Sequence, residues 1–201
     1  MFVKRILFVS IFLLFFVSDC FVISSPEWIT FTPLKGCNQT YGIGYSLPVG
    51  QCINFEFSYW VIVQVEQING EITVNTTNYN DPNCTEYINS NDYQVDQCLQ
   101  IDEFYMDTTG SVSIGQNFPN EAVTYQFFYD SDNDCSGNNY YTFFTNNLEV
   151  NDIKYQCING QPVVSSCYSS RHSDKCTVIP WGTQCVPGSQ GGPGYYGCYI
   201  Q

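Results

Sequence analysis

The sequence predicts an all-β, disulfide-rich fold on three observations. Apolar and polar side chains alternate through much of residues 53–65, the period of a strand with one buried face. Ten of the 11 cysteines lie after residue 20, and this even number suggests five disulfides. Beyond residue 20, no long stretch shows the spacing of an amphipathic helix. We expect an antiparallel β-sandwich or a stack of hairpins, with a β-trefoil as the alternative.

Residues 1–20 have the pattern of a signal peptide. Lys4 and Arg5 precede an apolar run over residues 6–17, which is shorter than the roughly 20 residues that a bilayer-spanning helix needs. Cleavage after this segment removes Cys20 and leaves no later hydrophobic span. We therefore predict a secreted, extracellular protein with no membrane span after signal cleavage; an uncleaved anchor is the alternative.

The charge balance argues against two classes of partner. The whole chain has a net charge of −13, and loss of Lys4, Arg5 and Asp19 with the leader changes it to −14. Such acidity repels phosphate backbones, so we expect no nucleic-acid partner and no anionic membrane surface. Aromatic residues make up 17% of the chain and charged residues 12%, the opposite of a disordered protein. The expected partner is an unidentified extracellular protein or carbohydrate.

The first strands are the clearest. Residues 28–32 predict a strand, and residues 53–65 a long one. Asn69-Gly70 then predicts a two-residue type I′ turn, because both residues tolerate positive φ. This turn sets a register that pairs Gln67 with Ile72, Val65 with Val74 and Gln64 with Asn75, and it puts Asn75 on the outer face.

Later strands are shorter, and the composition then changes. We predict strands around residues 99–105, 112–114, 123–129, 141–144 and 148–155, and a second hairpin turn at residues 158–161. From residue 165 onward, cysteine, glycine and proline concentrate and apolar periodicity fades. The expected organisation is a signal peptide at 1–20, a β-rich repeat domain at 21–164, and a loop-rich C-terminal extension at 165–201 that packs on it.

The cysteines follow a repeated pattern. Asp81 and Cys84 form an Asp-x-x-Cys step that Asp132 and Cys135 repeat, and the first cysteines of the units recur about every 47 residues. The simplest pairing closes a loop within each unit, although sequence alone does not establish connectivity. The expected disulfides are Cys37–Cys52, Cys84–Cys98, Cys135–Cys157, Cys176–Cys185 and, from the two cysteines left over, Cys167–Cys198.

These units resemble those of small secreted cysteine-rich proteins of social amoebae. The resemblance rests on Tyr79-x-Asp81-x-x-Cys84 and on Asp132-x-x-Cys135-Ser-Gly137, and it covers roughly residues 37–160. In the second copy the tyrosine, Tyr129, stands one residue too early. The resemblance implies an exported protein and carries over no catalytic residue and no ligand.

Candidate ligand sites are few. Asp130, Asp132 and Asp134 put carboxylates at alternate positions, as many calcium loops do, but the glycine and glutamate of an EF-hand are missing. Weak calcium binding is the hypothesis here and a solvated acidic turn the alternative; we expect no other cofactor. Three sequons predict N-glycosylation at Asn38, Asn75 and Asn83.

No motif identifies an activity. His172 has no catalytic partner pattern around it, and the adjacent acids Asp102 and Glu103 are interpreted as a solvated turn. Tyr195 and Tyr196 could stack on a sugar or face a protein, or serve only as strand residues. We expect a non-enzymatic glycoprotein that acts in extracellular binding or as a matrix or coat component. An extracellular enzyme with a hidden site and a secreted inhibitor or defence protein are the alternatives. A cleft lined by convergent, desolvated acids would favour the enzyme.

Overall fold

The computed structural model describes residues 27–56, 58–68, 70–104, 106, 108–129, 134–170, 173–179, 184–185 and 193–201. Every regular element in these ranges is a β-strand, which confirms the all-β prediction. The strands, in chain order, are β1 Trp28–Lys35, β2 Gln39–Thr40, β3 Ile43–Pro48, β4 Ile53–Phe55, β5 Tyr59–Ile68, β6 Glu71–Tyr79, β7 Tyr87–Gln94, β8 Leu99–Ile101, β9 Thr108–Ile114, β10 Val123–Phe128, β11 Asn139–Phe144, β12 Leu148–Val150, β13 Ile153–Ile158, β14 Gln161–Ser170, β15 Ser173–Ile179 and β16 Gly194–Cys198. The predicted signal peptide lies outside the described residues.

Three antiparallel sheets build the molecule. The main sheet has the strand order β16-β10-β11-β3-β1-β9-β8, and β2 pairs with β1 at its side. The second sheet is β4-β5-β6-β7, and the third is β12-β13-β14-β15. Backbone bridges from Val49 to Val63 and from Val95 to Val112 join the main sheet to the second where the chain crosses between them.

One face of the main sheet carries both smaller sheets. Phe31 and Tyr45 of the main sheet pack with Phe55 and Val63 of the second sheet in the largest apolar cluster. Ile43 lies two residues before Tyr45 on the same face of β3, and it also contacts the cluster that the third sheet forms. The predicted sandwich therefore describes the arrangement better than the trefoil alternative.

Phe55 stands at the centre of an aromatic group in the first cluster. Its ring centroid lies 5.0 Å from that of Tyr45, 4.9 Å from Phe104 and 5.3 Å from Tyr140. Phe55 and Phe104 are essentially inaccessible to solvent. Such groups combine large apolar burial with favourable ring geometry, so this cluster fixes the spacing of the two sheets.

The predicted hairpin register is confirmed. Gln67 pairs with Ile72, Val65 with Val74, and Gln64 with Asn75, as a two-residue connection requires. The second predicted turn is also confirmed, since Ile158 pairs with Gln161 and both residues between them have positive φ.

The single long strand predicted over residues 53–65 is wrong. The chain turns back after Phe55, so that β4 and β5 pair with each other and Ile53 lies opposite Val61. A turn of three residues preserves the parity of the alternation, so both halves still bury their apolar residues. The alternation of apolar and polar residues therefore predicted the buried face correctly but did not predict the turn between β4 and β5.

All five predicted disulfides are wrong. The structure instead pairs Cys37–Cys98, Cys52–Cys84, Cys135–Cys185, Cys157–Cys198 and Cys167–Cys176. The prediction assumed that each polar loop closes on itself, whereas strand pairing and sheet packing bring together cysteines from different predicted units. Cys167 and Cys176, for example, are direct partners across β14 and β15, which leaves Cys185 and Cys198 for other sulfurs. Four of the five bonds span 32 to 61 residues.

The predicted C-terminal extension contributes strands to two sheets. Its boundary at 164/165 falls inside β14, and β15 continues the third sheet. β16 pairs with β10 along the edge of the main sheet. In its described part, the segment predicted to be loop-rich therefore contains regular sheet structure.

Candidate functional site

The Asp-x-x-Cys step at Asp81 is a structural loop. Between β6 and β7, Asp81 Oδ1 accepts hydrogen bonds from the backbone N–H groups of Thr85 (2.7 Å) and Glu86 (2.6 Å). Its Oδ2 accepts from the Asn83 N–H at 3.1 Å and the Thr85 hydroxyl at 2.9 Å. The Glu86 N–H makes the largest contribution to lowering the pKa of Asp81, because these donors favour the charged carboxylate. This carboxylate holds the loop in shape beside the Cys52–Cys84 bond.

The start of the second copy, residues 130–133, lies outside the described residues. Asp130 and Asp132 of the calcium hypothesis are outside the described residues, and so is His172. Asp134 Oδ1 accepts hydrogen bonds from the Ser136 N–H (3.2 Å) and hydroxyl (2.8 Å). Across the described ranges, no group of three or more histidine, cysteine or acidic residues could hold a metal ion. Calcium binding by the three aspartates stays a prediction.

The three sequon asparagines occupy different surroundings. Asn38 and Asn83 are exposed in loops. Asn75 is half-buried on β6, where its side-chain NH2 donates to Asp92 at 2.8 Å and its Oδ1 accepts from the hydroxyl of Thr77 at 2.8 Å. Glycosylation at all three stays a prediction.

Tyr195 and Tyr196 belong to the main sheet. Both are half-buried on β16, where the ring of Tyr196 lies 4.7 Å from Tyr125 and that of Tyr195 lies 5.8 Å from Phe128. Their positions fit the alternative interpretation of tyrosine as a favoured strand residue.

The interpretation of Asp102 and Glu103 as a solvated turn is half wrong. Asp102 is exposed, but Glu103 is only 4% accessible. The segment that carries them follows β8, and Glu103 contacts β6 and β7 of the second sheet. There Glu103 lines a cleft of about 360 Å³, together with Tyr59, Asn78, Ile88, Asn89, Asn91, Asp102 and Phe104.

Three neutral donors hold one oxygen of the Glu103 carboxylate. Oε1 accepts from the Thr76 hydroxyl at 3.0 Å, the Asn78 side-chain amide at 3.1 Å and the Asn91 side-chain amide. Asn78 is itself only 9% accessible and also donates to Asn89 Oδ1 at 2.8 Å. Strand pairing explains the convergence, since Thr76 lies opposite Asn91 and Asn78 opposite Asn89 on the core-facing side of β6 and β7.

Two buried acceptor oxygens in this cluster have no hydrogen-bond partner among the described residues. They are Oε2 of Glu103 and Oδ1 of Asn78. Burial raises the pKa of Glu103, an effect that the hydrogen bonds from Asn91, Thr76 and Asn78 only partly oppose. Unsatisfied buried acceptors cost free energy and in native proteins call for a specific explanation.

The sequence contained a signal for this site. The confirmed register puts Thr76 and Asn78 on the face of β6 that carries the buried Val74. Polar residues at core-facing positions need buried partners, and this identifies the end of the hairpin as a polar site. Nothing local marks Glu103 as that partner.

A second cleft is lined by residues of the main sheet, the turn after β4 and the end of β12. It has a volume of about 470 Å³, and its lining includes Tyr41, Tyr45, Glu56, Met106 and Val150. The Tyr45 hydroxyl donates to Glu56 at 3.4 Å. Glu56, the acid of this second cleft, is exposed and already accepts a hydrogen bond from Tyr45. The Glu103 cleft is therefore the stronger candidate.

The described part of the chain contains no helix with the length and apolar character to cross a membrane.

Comparison with known proteins identifies a family. The model of the family described as counting factor-associated protein A/B/C matches residues 4–200, nearly the whole chain. This family occurs in social amoebae, which agrees with the resemblance in the sequence, although the repeat units themselves are not confirmed. No curated protein and no solved structure matches the chain.

Proposed function

The chain belongs to the counting factor-associated protein A/B/C family, and from this premise we propose that it is an exported, non-enzymatic glycoprotein that binds an extracellular protein. The family description speaks of association with a counting factor, and we take that factor as the first partner to test. The proposed role is binding in solution and not that of a matrix or coat component.

Export is supported by the cysteine chemistry. Five disulfides fit a protein that matures in an oxidising compartment, since cytosolic thiols are kept reduced. The apolar leader at residues 6–17 supports the same route.

The observation that carries the binding proposal is the Glu103 cleft. A solvent-open cavity on a disulfide-linked scaffold is lined by Glu103 and Asn78, each of which has a buried acceptor oxygen that the described chain leaves unsatisfied. Preformed clefts with a few convergent polar groups are typical of binding sites.

The same cleft gives no support to glycoside hydrolysis. That chemistry uses two acids on either side of the scissile bond, one of them with a raised pKa. Glu103 is desolvated, but its neighbour Asp102 is exposed, so the cleft lacks the convergent pair of desolvated acids that would favour an enzyme.

The test is direct binding. We would express the full chain with a C-terminal tag in social amoeba cells, recover it from the medium and measure its affinity for isolated counting factor by surface plasmon resonance. Saturable binding that disappears after reduction and alkylation is expected, because the disulfides hold the scaffold. Retention of the protein in the cells, recovery only from an insoluble matrix fraction, or absence of binding would each contradict the proposal.

A further inference from the structure

The unsatisfied acceptor atoms of the Glu103 cleft indicate which chemical groups a ligand of this cleft must carry. Both Glu103 Oε2 and Asn78 Oδ1 are acceptors, and both are buried. A matching ligand must therefore bring hydrogen-bond donors. An anionic ligand fits poorly, because the exposed carboxylate of Asp102 lines the same cleft.

The charge of Glu103 restricts the ligand further. Its three donors, Thr76, Asn78 and Asn91, are neutral. Of the basic side chains that the structure describes, Lys35 lies over the ring of Tyr41, and Lys154 stands opposite Glu149 in the β12–β13 pair. Neither lines the cleft. A buried carboxylate without a counter-ion is costly, so a cationic donor satisfies the site better than a neutral hydroxyl does.

The rest of the lining suits an organic cation. The half-buried Tyr59 lines the cleft, and aromatic faces attract ammonium and guanidinium groups. Ile88, half-exposed at the bulge of β7, offers apolar surface to the methylene stem of such a side chain. The volume of about 360 Å³ is near the lower end for ligand sites and suits one side chain rather than an extended ligand.

We propose that the Glu103 cleft binds a positively charged side chain, a lysine ammonium or arginine guanidinium, presented by the extracellular protein partner. This assignment rests on the proposed binding function and specifies its chemistry. The cation donates to Glu103 Oε2 and Asn78 Oδ1, and its stem lies against Ile88. The acidity of the whole chain attracts a basic surface towards the cleft.

The experiment uses small probes, so it does not depend on the identity of the partner. The disulfide-intact chain, labelled with ¹⁵N, is titrated with Nα-acetyl-lysinamide and Nα-acetyl-argininamide while the side-chain amide signals of Asn78 and Asn91 are followed. Nα-acetyl-norleucinamide, which lacks the charge, is the neutral control, and methyl galactoside tests a carbohydrate ligand. Saturable shifts with the two cations and about tenfold weaker binding of norleucine are expected.

Two matched variants test the carboxylate. Glu103→Gln keeps the shape and removes the charge, and it should weaken cation binding at least about tenfold. Asp102→Asn removes the same charge from the exposed neighbour, and it should change binding much less. Equal affinity of wild type and Glu103→Gln, or a preference for the galactoside, would overturn the assignment. The comparison of lysine with norleucine decides the question even if the glutamine variant does not fold.

The outcomes separate this assignment from the proposed function. Cation binding without affinity for counting factor would leave the cleft assignment intact and contradict that partner. Binding to counting factor that is unchanged in Glu103→Gln would support the function and refute the cleft as its anchor.

Discussion

Replacement of Cys52 and Cys84 by alanine removes one crosslink and leaves the other four disulfides intact. Cys52 directly precedes the short strand β4, and Cys84 lies within the loop organised by Asp81. The bond closes a loop with a sequence separation of 32, which corresponds to about 4 kcal/mol in the chain-entropy description. Because Cys37–Cys98 encloses this loop and keeps the unfolded chain closed, we expect a smaller loss of about 3 kcal/mol.

The assay combines urea unfolding with a thiol count. Unfolding followed by far-ultraviolet circular dichroism gives the loss in free energy, and a thiol reagent applied to the denatured protein counts free cysteines. The double variant of Cys52 and Cys84 should have no more free thiols than wild type. The double variant of Cys37 and Cys52 should break two bonds, leave Cys84 and Cys98 without their partners, and lose more stability.

The opposite pattern would refute the connectivity. If cysteines paired with their neighbours in sequence, the Cys37 and Cys52 variant would lose one bond and the Cys52 and Cys84 variant two. Disulfide-linked peptides identified by mass spectrometry distinguish these cases even where orphaned cysteines form a new bond. A loss below about 1 kcal/mol with correct pairing would refute the loop-entropy account of this bond.

Three further predictions concern single side chains. Phe55→Ala should lower the free energy of unfolding by about 3–5 kcal/mol in urea titrations, because it leaves a cavity at the centre of the aromatic group; a loss below about 2 kcal/mol would contradict that packing. Asp81→Ala should accelerate amide exchange of Thr85 and Glu86 in NMR spectra, and unchanged exchange would rule out that the Asp81 carboxylate holds this loop in shape. Glu103 has a raised pKa, so its contribution to stability is present below the unfolded pKa and is lost as pH rises through the folded pKa. The stability of wild type relative to Glu103→Gln should therefore fall as pH rises above the unfolded pKa of about 4.3, and a constant difference would contradict the burial of a charge.

Local chemistry made the hairpins predictable. A two-residue Asn-Gly connection fixes which residues face each other, so the pairing of Val65 with Val74 followed from the sequence. The turn after Phe55 carries no such signal. Because a three-residue connection keeps odd positions on one face, the alternation of residues 53–65 is the same for one strand or two.

The disulfides were not predictable in the same way. In most disulfides the Cα atoms of the two cysteines lie roughly 4.4–6.8 Å apart. The fold, and not the distance in sequence, determines which cysteines come that close. Cys157 on β13 reaches Cys198 on β16, so this bond joins the third sheet to the main sheet. Such a contact depends on strand order, which spacing between cysteines does not encode.

The Glu103 cleft was predictable in part, as the hairpins were, and unpredictable in part, as the disulfides were. The hairpin register predicts that Thr76 and Asn78 lie on the same face of β6 as the buried Val74, so polar residues on the core-facing side of this strand could be predicted. Glu103 follows β8, a strand of a different sheet, and it reaches Asn78 only because the main sheet packs against the second. A strand register therefore predicts that a polar partner is needed, and only the packing of sheets determines which residue supplies it. Oε2 of the buried Glu103 has no hydrogen-bond partner among the described residues, and this unsatisfied acceptor is the atom that the proposed cation would bind.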